Sequence, residues 1–411
     1  MPHPKAADRQ LLFQVKSGNV RGVRVALGGG ARVDGFGQGE ERPLMAAANL
    51  GKVDIMKLLV DRGADVDASI SGGIIGAGGQ VLLTGGSTAV HTAVYGDQAE
   101  ALRFLIEAGA DLNAADDEGM TPLMGVNAVE MAAKRRVMTE EMINAGADPT
   151  VSNLKGAIPL HFAAQHSNLD IIDRLLSEAP STINRTNNDG VTPMCIAALK
   201  GQEKAVLHLL SLGASDKATL DDNNMSALFM AAQEGHSAVC RILIGKGLEA
   251  VGGLETIPEA IRCAIQFRQE RILPILLAVG GDTNWAKCCL RTIPLIHLAA
   301  SEGSLAATHI LLAAGADETA VNKHGRSTID TIGLTLPAIE RNTAREDAIR
   351  RMLYRGPAFR AVSWSYPAET GGSAVAVVPL REKPKLPGGV LVFRPRCQGF
   401  FTARAARFSL K

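Results

Sequence analysis

"GADLNAADDEGMTPLM", Gly109 to Met124, holds the signals on which the fold turns. Gly-Ala-Asp opens it, Asp-Asp-Glu-Gly fills its middle and Thr-Pro-Leu closes it. Clusters of Asp and Gly mark turns, because Gly accepts positive φ and Asp bonds its own backbone. Pro after Thr marks a helix start, where its missing N–H would have no partner anyway. The segment reads as helix end, tight reversal, helix start.

The reversal recurs. Gly-Ala-Asp stands at Gly63, Gly109, Gly146 and Gly315, with weaker copies at Gly30, Gly213, Gly247 and Gly280. Gly30 to Gly63 is 33 residues, Gly213 to Gly247 is 34 and Gly247 to Gly280 is 33. The helix-start signal keeps step: "RPLMAAA" at Arg42, "TAVHTAV" at Thr88, "TPLM" at Thr121, "IPLHFAA" at Ile158, "TPMCIAA" at Thr192, "SALFMAA" at Ser226 and "PLIHLAA" at Pro294. A fixed period of this length is the mark of a repeat architecture.

One copy shows the physics. In "AIPLHFAAQHSNLDIIDRLLSEA", Pro159 suits a first helical turn, and Leu160, Ala163 and Ala164 share one helical face. Ser167-Asn168 breaks the helix, and Ile171, Ile172, Leu175 and Leu176 begin a second apolar face. Alanines let the two antiparallel helices approach closely. So short a pair cannot bury enough surface alone and must stack on its neighbours.

The pattern resembles the ankyrin repeat family, with its T-P-L-H-x-A-A start and L-L-x-x-G-A-D end. The resemblance covers residues 7–357 and implies an all-α ankyrin-repeat solenoid of nine or ten hairpins joined by β-turn fingers. It further implies structural hydrogen bonds from His91, His161, His297 and His236 to neighbouring turns. Copies lie about 10 Å apart, too far for these imidazoles to share a metal whose ligands sit near 2 Å.

Four departures stand out. Residues 69–87 insert about 13 extra residues rich in Gly, expected as a mobile surface loop. "GGIIGAGG" lacks the Lys-Ser or Lys-Thr and the strand–loop–helix setting of a phosphate loop. The fourth copy has about four extra residues near "AVEMAAKRRV", expected to lengthen its inter-helix loop. The eighth places Pro274 inside its second helix, which predicts a kink costing about 3 kcal/mol and a weak point in the stack. A degenerate last copy, from Gly325 to Gly356, reads as a cap with Arg345, Glu346, Arg350 and Arg351 on a polar outer face.

The tail, residues 358–411, carries no repeat. From Arg355 onward there are 10 basic and 2 acidic residues, a net of +8, against +1 for the whole chain. The remainder is therefore near −7. The tail reads as disordered or a small β-hairpin, and as a secondary candidate for contact with acidic protein, nucleic acid or anionic lipid.

Composition bounds the function. Hydrophobic residues make up 46% of the 411, ample for a core, and aromatics only 4%. No window of about 18 apolar residues exists, and "MPHPKAADRQ" lacks the apolar stretch of a signal peptide. The six cysteines form no Cys-x-x-Cys pair, which argues against a zinc site and for an intracellular, cytoplasmic setting. Cys288-Cys289 beside Lys287 is the one thiol pair with a nearby cation. No Gly-x-Ser-x-Gly, His-Glu-x-x-His, kinase set or dinucleotide fingerprint is present. The expectation is a monomeric, non-catalytic scaffold or adaptor for a protein partner, with no catalytic residues, metal or cofactor.

The resemblance also implies where a partner sits: on the fingers and on the two variable positions after each Ala-Ala pair. These are Asn49 and Leu50, Tyr95, Gln165 and His166, Leu199 and Lys200, Gln233 and Glu234, Gln266 and Phe267, and Ser301 and Glu302. Trp285 in the finger "DTNWAKCC" is a further candidate. Leu50, Tyr95, Leu199 and Phe267 are apolar where the scaffold needs no burial, and aromatic anchors cost about 2 kcal/mol or more when truncated. The fingers "AADDEG" and "TLDDNN" are acidic and "VNKHGR" is basic, which suits a partner of complementary charge along its length.

Overall fold

The Thr-Pro-Leu signals become helix starts and the Gly-Ala-Asp signals helix ends in a computed structural model of the chain. It describes residues 4–35, 41–75, 81–127, 132–215, 226–248, 253–279, 294–322, 324–332 and 343–355. The chain forms two compact units, Met1–Gly281 and Asp282–Lys411. The basic segment 358–411 lies outside the described residues.

In the first unit, eight helix pairs follow one another among the described residues. The first helix of each pair is α1 (Pro4–Lys16), α3 (Pro43–Asn49), α5 (Ala89–Tyr95), α7 (Pro122–Asn127), α9 (Pro159–Gln165), α11 (Pro193–Leu199), α13 (Ala227–Glu234) and α15 (Ile257–Gln266). The second is α2 (Val20–Gly28), α4 (Val53–Asp61), α6 (Ala99–Glu107), α8 (Ala132–Asn144), α10 (Leu169–Glu178), α12 (Glu203–Ser211), α14 (Ser237–Gly247) and α16 (Leu273–Ala278). Inner helices pack on inner helices and outer on outer, in chain order. This is the all-α solenoid that the resemblance implies.

The core follows from the sequence. From α3 onward the inner helices are buried nearly all round, and Ala46, Ala47, Ala163, Ala164, Ala197, Ala198, Ala231, Ala232 and Ala264 line their contacts. Outer helices bury positions i, i+1 and i+4: Ile55, Met56 and Leu59; Ala101, Leu102 and Leu105; Ile171, Ile172 and Leu175; Ala205, Val206 and Leu209. That spacing is one stripe of a 3.6-residue helix. Two inner-helix starts are capped by the hydroxyl that precedes them: Cys195 N donates to Thr192 Oγ1 (3.2 Å) and Phe229 N to Ser226 Oγ (3.1 Å).

Where the connection lies within the described residues, each inner helix turns into its outer helix through one left-handed residue. Gly51, Gly201 and Gly235 hold this position in three pairs, with φ between 63° and 85°. Asp97, Ser167 and Arg268 hold it in three others, with φ of 55°, 56° and 58°. A side chain with a Cβ is strained there. Ser167→Gly is therefore expected to stabilise the first unit by about 0.5–1 kcal/mol. The check is a rise in the urea midpoint at constant slope.

Three departures resolve differently from expectation. The Gly-rich insertion is not a plain loop: Ile74–Ile75 (β1) and Val81–Leu83 (β2) pair antiparallel, Ile74 opposite Leu83. Its base is tied by Ile70 N to Ser87 O (3.1 Å) and Gly86 N to Ile70 O (2.8 Å). In the fourth pair, α8 runs 13 residues where α4, α6 and α12 run nine, so added length enters the second helix. Residues 128–131 lie outside the described residues. Pro274 does not stand in a helix interior. A 3-10 turn, Glu270–Ile272, takes up the preceding residues and α16 begins at Leu273, so Pro274 stands in its first turn. No helical hydrogen bond is lost there, and the expected kink disappears.

In the second unit, α17 (Leu295–Ser301) pairs with α18 (Leu305–Ala313), which packs on α19 (Thr343–Arg355). Ile349, Met352 and Leu353 of α19 are buried while Arg345, Arg350 and Arg351 are exposed, the two-faced pattern of a cap. Among the described residues no helix is long and apolar enough to cross a membrane.

Candidate interaction surface

Two hydrogen-bond ladders fix the fingers. In the first, a side-chain oxygen of one finger accepts from the backbone of the next: Asp34 Oδ1 from Asp65 N (3.1 Å), Asp67 Oδ1 from Asp111 N (2.8 Å), Asn113 Oδ1 from Asp148 N (2.8 Å) and Asn184 Oδ1 from Ser215 N (2.8 Å). In the second, backbones zip directly. Asp117 N donates to Gly85 O (2.8 Å), Leu154 N to Glu118 O (3.1 Å) and Asn188 N to Lys155 O (3.0 Å).

Each zipped finger is one turn type. Asp116, Asn153 and Asn187 each accept two backbone N–H bonds from residues two and four further on. Three residues later comes a left-handed glycine, Gly119, Gly156 or Gly190. The base of the insertion joins this array. Thr84 Oγ1 donates to Asp116 Oδ2, and a Cβ at Gly86 would lie 2.9 Å from Asp116 Cα.

Histidines lock fingers to inner helices. His161 Nδ1 accepts from Ile158 N (3.2 Å), and its Nε2–H donates to Val191 O of the next repeat (3.0 Å). His91 does the same with Thr88 N (3.2 Å) and Met120 O (3.0 Å). In the second unit His297 Nε2–H donates to Ala320 O (2.8 Å). These partners demand a neutral ring, because Nδ1 faces a donor in His91 and His161. Burial holds all three rings below the usual imidazole range, His161 at about 4. The role that the resemblance gives these residues is the one they have. His236 also follows it, with Nε2–H on Leu199 O (3.0 Å) of the preceding repeat.

The variable positions form a row at the C-terminal ends of successive inner helices. Asn49, Leu50, Lys200, Glu234, Gln266 and Phe267 are exposed; Gln165, His166, Leu199 and Gln233 are half-buried. Their backbone is held from the next repeat: Gln202 Nε2 donates to Gln165 O (2.9 Å), and His236 to Leu199 O. The row thus presents side chains from a fixed track.

One expected position is buried. Ser301 of the second unit is only 8% exposed, and its hydroxyl turns back to Leu298 O (2.9 Å), so it offers a partner no surface. Glu302 beside it is half-buried. Trp285, Cys288 and Cys289 lie outside the described residues, as does the finger "TLDDNN".

Tyr95 is the member with the most built surroundings. Its ring lies across the next inner helix on Gly125, where a Cβ would sit 2.8 Å from Tyr95 Cε1. The His91 ring is 6.4 Å away, tilted. One edge stays open, with 37% of the residue exposed. Burial, then the carboxylates of Asp116 and Glu118, push its hydroxyl up to about 12. Sequence reasoning passed over Gly125, although a helix-interior Gly usually marks a close approach. It also passed over Leu154, a finger-tip side chain 71% exposed next to Glu118.

The described thiols are inert in this setting. Cys195, Cys240 and Cys263 are buried, and burial pushes Cys240 and Cys263 up to about 12. Among the described residues no group of three His, Cys, Asp or Glu is placed to hold a metal ion.

Comparison with known proteins agrees with the geometry. Family models of ankyrin repeats match residues 44–106 and 128–219. The chain is 29% identical over 221 residues to the ankyrin repeat protein nuc-2 of Neurospora crassa, covering 53% of this chain and 20% of that one. It is 30% identical over 270 residues to the E3 ubiquitin-protein ligase KEG of Arabidopsis thaliana, covering 62% and 16%. With the transient receptor potential cation channel subfamily A member 1 of Homo sapiens it shares 24% over 316 residues, 53% of this chain and 28% of that one. The chain therefore spans less than a third of each of these relatives.

Proposed function

The chain belongs to the ankyrin repeat proteins, whose repeats generally mediate protein–protein interaction, and on that premise we propose that it is a non-catalytic scaffold or adaptor. A partner segment lies along the fingers and the inner-helix ends of the first unit. The observation that carries this reading is the row itself. Leu50, Tyr95 and Phe267 leave 41%, 37% and 44% of their surface open on a track whose backbone is tied to the next repeat at Gln165 and Leu199. Folding gains nothing from those side chains standing in water, whereas an interface does. The protein contributes shape and position, and no residue of the row needs to transfer a proton or electron.

The test is affinity capture with the full chain from native lysate, comparing wild type with Tyr95→Ala plus Phe267→Ala. The double variant is expected to lose its main partner by tenfold or more, since each aromatic anchor contributes about 1–2 kcal/mol. Unchanged capture removes the row as the binding surface.

A further inference from the structure

The same surface specifies the chemistry of its occupant. Charge is divided unevenly along the first unit. Residues 1–60 carry nine basic and five acidic side chains, whereas residues 61–120 carry ten acidic and two basic. Of those two, Arg103 is paired with Glu141 on the outer helices (2.6 Å), away from the fingers. Within the acidic block, Asp65, Asp67 and Asp111 accept backbone N–H bonds, and Asp116 is buried in its turn. Asp117 and Glu118 remain exposed at the tip.

Tyr95, seated on Gly125, is near enough to this finger to feel the charges of Asp116 and Glu118, and Leu154 of the next finger is bonded through its backbone to Glu118 (3.1 Å). The next fingers bring Lys155 and then Asp189, so the negative surplus belongs to the second and third repeats.

We infer that this part of the surface binds an extended, basic peptide segment, with a Lys or Arg side chain lying over Tyr95 towards Asp117 and Glu118 and an apolar neighbour on Leu154. The inference rests on the proposed use of the row and adds the class of partner. A cation over an aromatic ring with carboxylates at its rim gains from both the ring and the charges. An acidic segment meets repulsion at the same place, and a purely apolar one leaves Asp117 and Glu118 facing uncharged surface. The seat on Gly125 holds the ring ready before anything binds, which lowers the cost of ordering it.

The experiment uses the full chain and three labelled peptides of equal length and apolar content, one rich in Lys and Arg, one neutral and one rich in Asp and Glu. Binding is read by fluorescence anisotropy at low and high salt. The basic peptide is expected to bind about tenfold or more tightly than the neutral one, with the advantage shrinking as salt rises. Glu118→Lys is expected to weaken it about tenfold and Tyr95→Ala about fivefold, while Tyr95→Phe keeps most of the affinity. Asp189→Lys, two fingers on, should change it by no more than about twofold. Gly125→Ala keeps a good helix former in α7 but displaces the ring, and should weaken binding with helicity unchanged by circular dichroism. Preference for the neutral or acidic peptide, still lost in Tyr95→Ala, overturns the charge assignment and leaves the row as a binding surface. Binding of the basic peptide that ignores both Glu118→Lys and Tyr95→Ala overturns the inference and counts against the row as well.

Discussion

Gly156→Ala is expected to destabilise the first unit by about 3 kcal/mol. Gly156 has φ of 75°, and a Cβ there would lie 2.4 Å from Asn188 Oδ1 and 2.7 Å from Asn188 N. Left-handed strain alone costs roughly 1 kcal/mol. The rest comes from moving the next finger, which bonds here through Asn188 N to Lys155 O (3.0 Å) and Asn188 Nδ2 to Leu154 O (2.9 Å). Two such bonds are worth about 1 kcal/mol each. Gly213→Ala supplies the control. Its φ is 88°, but a Cβ there meets nothing within 4 Å, so only about 1 kcal/mol should be lost. Urea titration of both variants, with amide exchange along residues 150–190, separates strain from ladder breakage. Equal losses in the two would show that the finger ladder contributes little.

Acid should loosen the stack in a defined window. The His161 ring ordinarily titrates near 6.5 and is held at about 4 when folded, mainly by burial. Its folded pKa is depressed, so the unfolded chain takes up the proton first as pH falls. Full stability is present above about 6.5, declines through the interval and levels off near 4, a loss of roughly 3 kcal/mol. His91 and His297 shift in the same direction for the same cause. The interval lies largely above the ordinary carboxylate range, so imidazoles dominate it. His161→Gln keeps a donor for Val191 O without a titrating group. It should be less stable near neutrality, yet lose less on acidification. A variant whose stability falls as steeply as wild type would exclude His161 as the source.

Much of the fold was legible because repeat proteins write one structural unit many times. Ile171, Ile172, Leu175 and Leu176 could be placed on one apolar face from spacing alone; the first three are buried and Leu176 is half-buried. Pro274 misled for a reason internal to the chain. Helical periodicity around it was continuous, but periodicity does not report where a helix begins, and a 3-10 turn before Leu273 moved the start. The insertion misled through composition, since glycines read as freedom. Here Gly86 is required because a finger backbone crosses it closely.

The candidate surface was only partly legible. The row positions follow from the period, but exposure does not, and Ser301 shows the gap. A Ser after an Ala-Ala pair looks available until its hydroxyl turns into its own helix. The finger turns did leave a readable trace. "DDEG" at Asp116, "NLKG" at Asn153 and "NNDG" at Asn187 repeat one Asx-to-Gly spacing, the chemistry of a side chain accepting the N–H groups of its own turn. Gly125 under Tyr95 could have been found as a Gly where inner helices otherwise carry larger residues.

The most direct test of the account places a photo-crosslinking residue at single positions of the full chain and maps attachment to the captured partner. Positions 95, 166 and 234 lie along the inner-helix ends, and 57, 204 and 241 are exposed positions on outer helices. Attachment at 95, 166 and 234 with none at 57, 204 and 241 is the predicted result. Attachment confined to the outer helices would contradict it.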